Sequence, residues 1–166
     1  QQRGQLERAL AAIKKSNAKD NRTDPLSLRL EAQIQAELGK YKAAAGTLMT
    51  LHRREGLPDA EVLLLARNFH KGGNPGIGRK VLLDLLSGPS PDPRAALEFA
   101  RLEGHNPAQR QAIRQHLSRV LANDPENMEV LEQLTELDLV DGNVQRARQR
   151  LDDAVVKSGW MGRTFL

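Results

Sequence analysis

The sequence predicts an all-α solenoid of paired helices, and three observations carry that expectation. Turn-forming clusters divide the chain into stretches of about 10 to 18 residues, the length of ordinary globular helices. Those stretches are rich in Ala, Leu, Glu, Gln, Arg and Lys, while aromatic residues make up only 3% of the chain, so helix propensity outweighs strand propensity. Glycines recur at a near-constant interval, which marks a stack of like units rather than one closed globule. With 166 residues, 39% of them apolar, and no Cys, the chain can build a core without disulfides or a cysteine-built metal site.

The elements follow in order. Leu6, Ala9, Leu10 and Ile13 recur at three and four residues and predict a single leading helix over 4–18. Asp24 before Pro25 predicts the next helix start, because a side-chain oxygen precedes a proline whose missing N–H is harmless in a first turn. From Leu26 to Leu38 apolar and polar residues alternate as in a half-buried strand. Leu30, Ile34 and Leu38 also form an i, i+4 stripe there, and no partner strand exists, so the segment is read as helix. Gly39 closes it, and Gly56-Leu57-Pro58-Asp59 separates a first pair over 25–56 from a second over 59–87. Ser87 through Pro93 opens a third pair over 91–122, in which Asn106-Pro107 starts a helix with Ile113, Leu117, Val120 and Leu121 on one face. Asn123-Asp124-Pro125 leads to a fourth pair over 127–157, closed midway by Gly142 and carrying Ala147, Leu151, Ala154 and Val155. The tail 158–166 holds Trp160 and Phe165 beyond the last pair, as though another repeat or partner covered it, and the chain reads as a fragment of a longer protein.

Superposing the turns sharpens the repeat. Gly4, Gly39, Gly73 and Gly142 are each followed after five residues by a small one (Ala9, Ala44, Gly78, Ala147) and after nine by an aliphatic one (Ile13, Leu48, Leu82, Leu151). The glycine spacings are 35, 34 and 69, so one degenerate unit falls between the last two, with Gly104 as its displaced marker. Small residues are needed where paired helices cross closely, since a larger side chain would push the axes beyond about 8 to 10 Å.

These residues resemble the tetratricopeptide repeat family. The motif is carried by Leu38-Gly39-Lys40-Tyr41 with Ala44 and Leu48, by Val62, Leu65, Ala66 and Phe69 before Gly73, then Gly78 and Leu82, and by Leu131, Leu134 and Thr135 before Gly142, then Ala147, Leu151 and Ala154. The resemblance covers nearly the whole chain and implies a right-handed α-α superhelix of about four helix-turn-helix repeats plus the leading helix. Glu31 departs from it, standing where the family has an aliphatic residue, and the 91–122 unit is irregular. The family's carboxylate-clamp pattern is not met, because its positions hold Arg29, Gln33, Arg67 and Asn68.

Signals for chemistry are weak. Gly73 through Lys80 has the two glycines of a phosphate loop but neither the Lys-Ser/Thr pair nor a preceding strand, so it reads as an inter-helix turn. His52, His70, His105 and His116 lie too far apart for a metal motif, and no nucleophile elbow is present. The chain is read as a non-enzyme without cofactor or metal. The Asn21-Arg22-Thr23 sequon reads as a solvated linker.

The resemblance implies that the first helix of each pair lines a concave groove. By phase, Arg29, Gln33, Arg67, His70, Lys71, Arg94 and Arg101 form its basic front, and Glu129, Glu132 and Glu136 its acidic end, with Glu37, Leu63 and Glu98 on or near it. The expected partner is another protein or peptide segment, oriented by those opposite charges, and neighbouring repeats of the same chain. A net charge of +4 and a pI near 9.7 admit an alternative, an anionic polymer such as nucleic acid or an acidic polysaccharide. That reading uses Arg110, Arg114, Arg119, Arg146, Arg148 and Arg150 on second helices, but aromatics for base stacking are scarce and nucleic acid is the weaker choice. No apolar run approaches the roughly 20 residues of a membrane span, and Gln1-Gln2-Arg3 lacks a signal-peptide layout, which suggests a processed chain or an excised segment. By resemblance alone, a bacterial envelope or exopolysaccharide-export assembly and a periplasmic location are favoured.

Overall fold

The computed structural model describes residues 2–19 and 24–157. The described residues form nine α-helices and no strand: α1 (Gln2–Lys19), α2 (Pro25–Glu37), α3 (Tyr41–Glu55), α4 (Asp59–Lys71), α5 (Pro75–Leu86), α6 (Pro93–Glu103), α7 (Pro107–Asn123), α8 (Met128–Val140) and α9 (Val144–Lys157). The alternating stretch from Leu26 is helical, with Leu28, Ala32 and Ile34 buried and Leu26 and Leu30 outside. The sequon and the 158–166 tail lie outside the described residues.

Helix starts follow the expected chemistry. Asp24, Asp92 and Asn106 each accept from a backbone N–H of the first turn while Pro25, Pro93 or Pro107 follows; Asn127 caps α8 the same way without a proline. Helix ends separate into two kinds. Gly39, Gly73 and Gly142 have φ of 75°, 83° and 75°. At those three turns the next N–H reaches back to a carbonyl five residues earlier, from Lys40 to Gln35, Asn74 to Phe69 and Asn143 to Asp138, each at 2.8 Å. This is the Schellman closure, which needs a left-handed residue.

Two of the glycine markers behave otherwise. Gly4 lies inside α1 and marks no turn, since a single Gly costs a helix only about 1 kcal/mol. Gly104 sits one place early, with φ −61°, and His105 occupies the slot that Gly fills elsewhere. The Asn106 N–H therefore bonds to Glu103, only three residues back.

The chain comprises two compact units, 1–82 and 83–166, divided within α5. In the first, α1 packs on α2, α2 on α3 and α3 on α4, around a core that includes Leu28, Ala32, Ala44, Leu48, Leu51 and Leu65. Burying each such Leu contributes about 1.5 to 3 kcal/mol. Gly78 on α5 meets α4 so closely that a Cβ there would stand 2.7 Å from the Ala66 carbonyl oxygen. In the second unit, α6 packs on α7 and α8, α7 on α8 and α8 on α9, around Phe99, Ile113, Leu117, Val130 and Leu134. The expected small residues Ala44 and Ala147 are buried at their crossings.

Glu31, standing in the aliphatic slot, is also buried. It accepts from Asn17 at 3.0 Å and from Gln35 at 2.8 Å, while Asn17 and Gln35 accept from Ser27 (2.6 Å) and Thr47 (2.9 Å). A chain of five polar side chains thus replaces apolar contact among α1, α2 and α3.

Candidate functional site

In the first unit, the predicted site residues divide by what already engages them. The Arg29 guanidinium is held by Glu61 on α4 at 2.9 Å and by Glu55 on α3 at 2.9 Å, and these carboxylates, Glu61 foremost, raise its pKa further. It ties three helices together. Gln33 is exposed and donates to Glu37 at 3.1 Å. With Leu26 and Leu30, exposed at 71% and 49%, these residues form one stripe along α2 at helical spacing. Leu30, expected to share an apolar stripe with Ile34 and Leu38, instead stands outside with Leu26 in the phase of Gln33 and Glu37, while Ile34 is buried.

On α4, Leu63 is buried, Arg67 is half-buried, and His70 lies with Nδ1 3.2 Å from the Ala66 carbonyl oxygen, directed at the glycine gap of Gly78. Lys71 is exposed and its ammonium stands 5.1 Å from the Tyr41 ring centroid. Lys40 and Lys42 border the same open hollow as Lys71, so the basic character of this unit gathers at the α2–α3 turn rather than along α4.

In the second unit, Arg94 closes on Asp92 at 2.8 Å and holds that carboxyl below the ordinary carboxylate range. Arg101 pairs at 2.6 Å with Glu98, which is buried and so is not open to a partner. Glu129, Glu132 and Glu136 are all exposed on α8, spaced three and four apart, with no cation bonded to them among the described residues; Glu136 accepts from Gln133 at 3.1 Å. Exposed Met128, Leu139 and Val140 lie at the two ends of α8.

The second helices show the reverse. Arg110 and Arg114 both bond Asp141, keeping its pKa low, and Arg114 and Arg150 converge on Asp138, which has no solvent exposure. Arg119 donates to the carbonyls of Leu86 and Gly88. Four of the six arginines considered for an anionic polymer therefore hold the fold together. Among the described residues no group of His, Asp and Glu could hold a metal ion, and no helix is long and apolar enough to cross a membrane.

No family model matches the sequence, and no curated protein matches it. Solved structures do. MamA from residue 41 onward, from Desulfovibrio magneticus RS-1, superposes with a TM-score of 0.68 over 93% of this chain and 86% of its own, at 18% identity. YrrB, described as a TPR protein with an unusual peptide-binding site, superposes with a TM-score of 0.66 over 92% of this chain and 77% of its own, also at 18% identity. The fold is that of the tetratricopeptide repeat. A MamA double mutant from RS-1 agrees, with a TM-score of 0.68 and 17% identity over 93% of this chain and 85% of its own. The helices that the sequence leads one to expect as first in their pairs are α2, α4, α6 and α8.

Proposed function

We propose that this chain is a non-catalytic scaffold that binds a protein or peptide segment on the outward faces of its first helices. The observation that carries the reading is the α8 stripe of Glu129, Glu132 and Glu136: three exposed carboxylates bonded to no cation among the described residues, whereas Arg110, Arg114, Arg119 and Arg150 on second helices are engaged internally. A stripe of that sign favours a basic segment and sets its direction. In the first unit, Leu26, Leu30, Gln33, Lys71 and the half-buried Arg67 offer apolar and cationic contacts instead; Arg29 and His70 position the helices behind them, as Arg94 and Arg101 do in α6. The peptide-binding site named for YrrB is a precedent on the same fold. The context we favour, on resemblance alone, is an assembly of the bacterial envelope or of exopolysaccharide export.

The test is capture of partner from the source organism by the chain, repeated with Glu132→Lys/Glu136→Lys and with Arg67→Glu. Loss of one specific partner in the charge-reversed proteins, with helicity unchanged, supports the reading. A partner retained equally by both variants overturns the face assignment.

A further inference from the structure

The last pair leaves bare a position that earlier pairs bury. Leu48 on α3 and Leu82 on α5 are 2% and 0% exposed, yet Leu151, nine residues after its glycine like the other two, is 46% exposed on α9. Its neighbours along the helix extend the same face. Val144, Arg148, Leu151 and Val155 follow at intervals of four, three and four residues and so share one stripe, which flanks Ala147, one turn before Leu151 and buried against α8. Val144 is 62% exposed.

That stripe is complementary to itself. If two α9 helices lie antiparallel across a two-fold axis between Gln149 and Arg150, Val144 of each meets Val155 of the other. Leu151 then packs against the methylene stem of the other Arg148. The same register sets each Arg148 guanidinium beside Asp152 of the second copy. Within one chain those two groups are only 3.9 Å apart and largely solvated, which leaves both open to an intermolecular pair. Apolar ends, an apolar centre and opposite charges arranged symmetrically are what an isologous contact requires.

We propose that α9 is a self-association surface through which a second copy of this chain docks antiparallel. The 14 residues of α9 span about 21 Å, so one helix pair falls below the roughly 1,200 Å² of a stable interface, and the dimer is reversible and concentration-dependent.

Sedimentation velocity on the 166-residue chain over a wide concentration range tests this. The expected result is a monomer–dimer shift that Leu151→Glu abolishes. Arg148→Asp or Asp152→Arg alone places like charges opposite one another twice across the axis and weakens dimerisation about tenfold, whereas the double exchange restores it. All these side chains are exposed, so circular dichroism should be unchanged. A chain that stays monomeric throughout overturns the proposal and assigns the face to another polypeptide. A dimer indifferent to Leu151→Glu, or a double exchange that fails to restore it, overturns it equally.

Discussion

Arg114 Nε donates to Asp138 Oδ1 at 3.2 Å, tying α7 to α8 through a carboxylate with no solvent exposure. Arg150 Nη2 reaches the other oxygen at 2.9 Å, so one aspartate fastens three helices. Removing it would leave the Arg150 guanidinium partly buried without its counter-charge and Arg114 with Asp141 alone. Asp138→Leu should therefore destabilise the chain by about 3 to 5 kcal/mol in urea unfolding. Adding Arg114→Met and Arg150→Met should recover most of that loss, because apolar replacement of a whole buried ionic cluster is commonly near neutral. A triple variant no better than the single one would deny that the ionic cluster is the unit of stability.

The α4–α5 crossing makes a narrower demand. A Cβ on Gly78 would lie 2.7 Å from the Ala66 carbonyl oxygen and 2.6 Å from His70 Nδ1, and the first of these is backbone that cannot rotate away. Gly78→Ala should cost about 1 to 3 kcal/mol, the usual range for overpacking. Gly46→Ala is the control: α3 has open space there, and Ala is the better helix former by about 1 kcal/mol, so this variant should be neutral or stabilising. Thermal midpoints of the pair should move apart in opposite directions.

Glu31 interrupts the family pattern, and its surroundings show how that is tolerated. Asn17 and Gln35 both donate to its carboxylate, and Gln35 in turn accepts from Thr47. Glu31→Leu alone should cost about 1 to 3 kcal/mol, since the buried Gln35 amide loses its acceptor. Combining it with Gln35→Leu should cost less than the two single changes summed. A double-mutant cycle gives the coupling directly, and additive costs would deny that the two side chains act as one network.

Much of this fold is legible in the sequence because its signals are local. A glycine nine residues before an aliphatic one, a small residue between them, and Asp or Asn ahead of proline all act within a turn or two; the turns form as expected at Gly39, Gly73, Gly142, Asp24 and Asn106, and the aliphatic residue is buried after the first two glycines but not after Gly142. The roles of the charged residues are not local. Arg29 meets Glu61 at a separation of 32 residues and Arg110 meets Asp141 at 31. A pattern reading leaves Arg29 facing a groove and Arg110 facing solvent until those partners are in place. Glu129, Glu132 and Glu136 were readable as exposed because their spacing alone puts them on one face of α8.

Acid sensitivity should arise in the second unit from His116. Its ring stands edge-on to Phe99, with centroids 6.1 Å apart and Nδ1 buried without a hydrogen-bond partner, and burial foremost, then Arg119, pushes its pKa down. The unfolded chain therefore takes up this proton before the folded one does. Stability is level above about pH 6.5 and falls as the pH drops from there toward the folded-state value. His116→Leu should remove that segment of the pH dependence while keeping stability at pH 8. Urea midpoints measured from pH 8 to 5 report it, and an unchanged slope in the variant would assign the effect elsewhere.

The α6–α7 turn gives the sharpest test of the repeat itself. Gly39, Gly73 and Gly142 close their turns with positive φ, and replacing any of them by Ala should cost about 1 to 2 kcal/mol, because a Cβ is strained there whatever space surrounds it. His105 fills the same slot between α6 and α7, yet no residue other than glycine has positive φ among the described residues, and the N–H of Asn106 bonds three residues back rather than five. His105→Gly should therefore not rescue a strained turn. It should weaken the protein by roughly 0.4 to 1 kcal/mol by giving the unfolded chain more freedom. Stabilisation by His105→Gly would mean that this turn is a frustrated copy of the other three. Destabilisation, together with an unchanged bond from Asn106 to Glu103, would establish it as a different closure that let the glycine move one place toward the N-terminus.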